Sequence, residues 1–198
     1  MSNAHPPLFS AGDAEAVAYR NLRDGVSEDA RVCKQFSELL WDQYEPYADS
    51  HFLTEIRRDF CARFWEMYLT CTLLEHLPKQ GFRVSCPKPG PDVLVESEGQ
   101  RIWIEAVTAT DGDPAKPDSA VQSDSGAVPD KKIILRYTNA VAEKHLKYRG
   151  YLTRKIVREN DAYVIAVNGY PLTYRRRDAE IPRILKAVFP IGGPRSAN

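Results

Sequence analysis

The chain has 198 residues, 43% of them hydrophobic, and its 27 Lys and Arg balance 27 Asp and Glu. That is enough to bury one good core, so one domain is the default. No run of about eighteen apolar residues is present, so no transmembrane helix is expected, and the N-terminus lacks the basic and apolar regions of a signal peptide.

The elements read in chain order from periodicity and punctuation. Residues 13–24 and 28–43 are predicted helices, the second starting at Ser27-Glu28-Asp29. A long helix rich in Phe, Trp, Tyr and Leu runs from about His51 to Leu77, closed by Pro78 and Gly81. Residues 82–85 make a short strand. Val93-Leu94-Val95 is a second, Ser97-Glu98-Gly99-Gln100 a turn, and Ile102 to Val107 a third strand. Residues 108–130 carry many Asp, Ser, Pro and Gly and few large apolar side chains, so they read as a mobile loop. A helix covers about 131–158, a buried strand 162–167, and a short helix 178–188; residues 191–198 read as a disordered tail. Trp65 and Trp103 are core aromatics.

Charge is unevenly spread. Residues 1–130 hold 12 Lys and Arg against 22 Asp and Glu, a balance of −10, and residues 131–198 hold 15 against 5, a balance of +10. A basic half can meet a phosphate backbone while an acidic half holds a cation. Alternatively the halves pack and neutralise each other. Cys33, Cys61, Cys71 and Cys86 form no Cys-x-x-Cys pair, and the four His are scattered. This argues against zinc and for reduced thiols in a cytoplasmic protein.

The hairpin carries the chemical signal. Asp92, after Pro91, opens the second strand, and Glu105-Ala106-Val107 ends the third. Two adjacent strands can bring these acids together, and two close carboxylates repel unless a cation lies between them. Hard oxygen donors suit Mg²⁺ or Mn²⁺. This pattern resembles the active-site hairpin of the PD-(D/E)XK nuclease superfamily, the restriction-endonuclease-like enzymes. The order helix, strand, strand, strand, helix, strand over residues 52–168 is similar to that family's core. The resemblance implies an α/β fold, a mixed central sheet flanked by helices. Residues 51–190 would form the nuclease domain, and residues 1–50 a helical extension. One departure is plain: the family usually has Lys two residues after the Glu, and here that position is Val107.

A substitute lysine is readable on the next helix. At about 100° per residue, Ile133, Tyr137, Ala140, Tyr148 and Tyr151 fall within roughly 40° of Lys144. Lys144 therefore sits in an apolar stripe, where an ammonium is costly unless it meets an anion. In some members of the superfamily the lysine has migrated to this helix. The alternative is that Lys144 snorkels to solvent. Glu66 lies on an apolar line with Ala62, Leu73 and Leu77. The family's first helix often supplies an acid to the metal site; the alternative is a salt bridge to Arg63 or Arg136.

The resemblance implies metal-assisted phosphodiester hydrolysis, with nucleic acid as substrate and DNA ahead of RNA. Asp92, Glu105 and the Ala106 carbonyl would hold Mg²⁺ or Mn²⁺, Glu66 would add a ligand, and Lys144 would act on the attacking water or the transition state. Arg136, Lys147 and Arg149 would hold flanking phosphates, with Arg175-Arg176-Arg177 as a further basic run. Tyr148, Tyr151, Tyr170 and Tyr174 can stack on bases or simply pack. Two other classes stay open: an inactive nuclease fold that binds nucleic acid or protein, and a non-nuclease scaffold whose acids pair with arginines. A homodimer is the assembly common in the family.

Overall fold

The computed structural model of the chain describes residues 5–116, 119–120, 128–173 and 181–189. It is α/β, with a four-stranded mixed sheet flanked by helices. The elements are α1 (Val17–Asp24), α2 (Glu28–Tyr44), α3 (Phe52–Glu55), α4 (Phe60–His76), β1 (Arg83–Ser85), β2 (Val93–Ser97), β3 (Gln100–Thr108), α5 (Asp130–Thr153), β4 (Ala162–Asn168) and α6 (Arg183–Val188). The sheet order is β1-β2-β3-β4. Two antiparallel pairs, β1 with β2 and β2 with β3, build the hairpin region. No helix among the described residues is long and apolar enough to cross a membrane.

All but α2 depart from the sequence expectation: α1 starts at Val17 rather than residue 13, α6 covers Arg183–Val188 of the expected 178–188, whose residues 178–180 lie outside the described ones, and both long helices differ. The single helix over 51–77 is broken into α3 and α4. Asp59 is the reason: its side chain accepts from the Ala62 N–H at 3.1 Å and caps a fresh helix start. The helix expected over 131–158 ends at Thr153, because Lys155 takes a left-handed φ of 57° that an α-helix cannot continue. The β2–β3 turn follows its sequence. Ser97 pairs with Gln100, and Glu98 and Gly99 both have positive φ, 48° and 82°, as a two-residue hairpin turn of the primed type requires.

The chain divides into two units, Met1–Ala106 with Ile156–Val164, and Val107–Lys155 with Ile165–Asn198. In the first unit the core is aromatic. Tyr19, Trp41, Tyr44, Phe52, Phe60 and Met67 are buried together, with Trp41 stacked on Phe52 at 5.3 Å between centroids. The N-terminal residues contribute to this core through Leu8 and Phe9, and α2 contributes through Leu40, Trp41 and Tyr44.

In the second unit Ala109, Ala120, Ile133, Ala140 and Leu172 form a smaller core, packed by Val107, Val128, Tyr137 and Val167. A Cβ on Gly169 would lie 2.0 Å from the Tyr137 hydroxyl, so a larger residue there would have to displace the Tyr137 ring. The described part of the segment expected to be a mobile loop is hydrogen-bonded: Ala109 N–H donates to the Asn168 carbonyl at 2.8 Å, and Ala120 N–H to the Asp111 carbonyl at 2.7 Å. The tail over 191–198 lies outside the described residues.

Candidate functional site

The site is built by the hairpin register. Val93 pairs with Ile104 at the end of the ladder, and Asp92 and Glu105 are the next residues along the two chains. A hydrogen bond fixes this placement: the Ala106 N–H donates to Asp92 Oδ2 at 2.6 Å. Asp92 is half-buried, and Glu105 is 1% exposed, on the same face of β3 as the buried Trp103. Burying a carboxylate this deeply is costly unless something offsets its charge. The loop before Asp92 is pressed close to β3. A Cβ on Gly90 would sit 2.9 Å from the Pro87 carbonyl and 3.2 Å from the Trp103 ring.

Glu66 comes from α4 and is held by two donors. Tyr44, at the end of α2, donates its hydroxyl to Glu66 Oε1 at 2.7 Å, and Arg63 donates to Oε2 at 2.6 Å. Arg63 also ion-pairs with Glu55 and lies 3.8 Å from Asp49. The Arg63 salt bridge expected as the alternative for Glu66 is thus formed.

The electrostatics join these acids into one neighbourhood. Burial, then the charge of Glu66 and its hydrogen bond, then the charge of Asp92, push the Tyr44 hydroxyl far above its ordinary range. The Cys86 thiol is pushed up to about 11, by burial first and then by Asp92, with Glu66 adding and Lys88 opposing. Asp92 and Glu66 therefore act on the same two groups. Among the described residues no three His, Cys, Asp or Glu side chains gather as a ready-made metal site.

The remaining candidates lie on α5, in the second unit. Ile133, Ala140 and Tyr151 are buried and Tyr137, Lys144 and Tyr148 half-buried, so the stripe read from the sequence is the packed face and Lys144 belongs to it. Lys147 and Arg149 are exposed. Arg136 donates from Nε to the Thr110 carbonyl at 2.8 Å, and its guanidinium fills the space that a Cβ on Gly112 would need. It braces a loop through this bond. Val107, at the family's lysine position, packs into the second unit's apolar cluster. Tyr174 and Arg175, Arg176 and Arg177 lie outside the described residues.

Sequence reasoning missed Tyr44 and Cys86. Tyr44 ends the buried stripe Ser37, Leu40, Trp41 and Tyr44 of α2, which reads as ordinary core. Comparison with protein-family models, with curated proteins and with solved structures finds no match.

Proposed function

We propose that the protein is a metal-dependent nuclease of the PD-(D/E)XK type, hydrolysing phosphodiester bonds in nucleic acid, with DNA ahead of RNA. One observation carries this reading: Glu105 is fully buried and directly precedes Ala106, whose N–H holds the Asp92 carboxylate. The element order from α4 to β4 supports it as an arrangement of the restriction-endonuclease-like kind.

The donor set fits a hard cation. Mg²⁺ sites are commonly held by one or two carboxylates and keep several waters, and the donors here are all oxygen. Asp92, Glu105 and the Ala106 carbonyl would hold Mg²⁺ or Mn²⁺. Such an ion lowers the pKa of bound water and stabilises charge on a phosphate. Glu66, engaged by Tyr44 and Arg63, serves the site through water in this reading and sets its negative field. Lys144 takes the part of the missing motif lysine, on the support of its place in the packed stripe of α5. Lys147 and Arg149 are exposed cations suited to flanking phosphates, and Arg136, half-buried and bonded through Nε to Thr110, would join them through its other N–H groups. Four free cysteines suit a reducing, cytoplasmic setting.

A second reading, an inactive nuclease fold that binds nucleic acid or protein, is favoured by two facts. Glu66 is already satisfied by Arg63 and Tyr44, and Val107 is apolar. A plasmid-nicking assay in Mn²⁺ separates the two. An active enzyme loses at least about a hundredfold in rate on Asp92→Ala and on Lys144→Ala. Nicking unchanged by either substitution would remove the nuclease assignment.

A further inference from the structure

The outer face of α2 is apolar and open. Val32, Phe36 and Leu39 are 55%, 45% and 54% exposed, and at about 100° per residue they fall within roughly 60° of one another. Tyr68 of α4 extends the patch. It is 39% exposed and its ring lies 6.5 Å from that of Phe36. An amphipathic helix ordinarily turns such a stripe inward, yet α2 already buries a different one, through Ser37, Leu40, Trp41 and Tyr44. The helix thus has two apolar faces, and one is uncovered among the described residues. Contiguous exposed apolar patches of this kind mark interaction surfaces.

The charges beside the stripe select the occupant. Arg31 and Asp42 lie eleven residues apart and within about 20° of each other, on one flank of the stripe. They stand on either side of its midpoint, near residues 35–36. A two-fold axis through that midpoint, with the two α2 helices antiparallel, brings the same flanks together. Arg31 then meets Asp42 of the partner subunit, and the pair occurs twice by symmetry. Parallel helices would instead set the two Arg31 side chains level with each other. Among the described residues Arg31 has one exposed ion pair, with Glu28 at 3.4 Å, and Asp42 one with the part-buried His5 at 3.2 Å. Exposed pairs of this sort are weak and readily exchanged.

We infer that α2 is a homodimer interface, in which two copies pair antiparallel through Val32, Phe36 and Leu39 and are registered by Arg31–Asp42 contacts. This rests on the first unit alone and is independent of any nuclease activity.

Sedimentation equilibrium of the full chain tests it, with circular dichroism on every variant to establish folding. Wild type is expected to move with concentration from the chain mass to twice that mass. Phe36→Lys should weaken association at least about thirtyfold, and Leu39→Lys, at a more exposed position, should do the same if Phe36→Lys disturbs the fold. Arg31→Asp and Asp42→Arg should each weaken it about tenfold, and the double exchange should restore it. A wild type that stays monomeric, with the face open to some other partner, would overturn the inference. So would a dimer that survives both lysine variants, or a double exchange that restores nothing.

Discussion

Cys86 reports on the acids around it. Its thiol is pushed up to about 11 from the ordinary 9.0, by burial first and then by the carboxylates of Asp92 and Glu66. A raised pKa means less thiolate at a given pH, so Cys86 at pH 8 should be alkylated roughly a hundredfold more slowly than an unshifted thiol. In metal-free protein, Asp92→Asn removes one of the charges, lowers the pKa and should speed alkylation several-fold. Peptide mass analysis reads this out, with the exposed Cys33 as the internal standard. An unchanged rate would mean that Asp92 does not act on Cys86. At this scale the places of Asp92 and Glu105 on the hairpin were legible because a two-residue turn fixes the register of the strands it joins. Tyr44 was not, because its contact with Glu66 spans 22 residues and nothing local signals it.

The hairpin is anchored at its other end by one carboxylate. Asp161 Oδ2, just before β4, accepts from the Trp103 indole at 2.9 Å and from the Arg158 N–H at 2.9 Å. Arg101 ion-pairs with it at 3.2 Å and lies over the Trp103 ring at 5.2 Å. The Asp161 side chain is 5% exposed, so Asp161→Ala leaves the part-buried Trp103 indole and Arg101 guanidinium without their acceptor, while the exposed Arg158 N–H can turn to water. The expected loss is about 2–4 kcal/mol, measured by urea unfolding with tryptophan fluorescence. A loss below about 0.5 kcal/mol would contradict this role, since that is the scale of an ordinary surface change. The strands and the α5 stripe were readable because period-2 and period-3.6 patterns are local. The break between α3 and α4 was not, because an aspartate within an apolar helical run can be either a surface residue or a cap. Asp59 is the cap.

For the whole molecule, the order helix, strand, strand, strand, helix, strand was legible, and it is the order of α4, β1, β2, β3, α5 and β4. The division into two units was not, since the first gathers the N-terminal helices with residues 156–164, and only distant pairings make that grouping. The acidic and basic stretches of the sequence likewise do not coincide with the units, so the charge asymmetry by itself names no face for nucleic acid. The central claim therefore rests on Asp92 and Glu105 as a cation site, and calorimetric titration of Mn²⁺ into wild type and Asp92→Ala tests it most directly. Wild type should bind Mn²⁺, and Asp92→Ala should bind at least about tenfold more weakly, having lost one of two protein carboxylates. No binding by wild type, or equal binding by both proteins, would contradict the metal site and with it the nuclease.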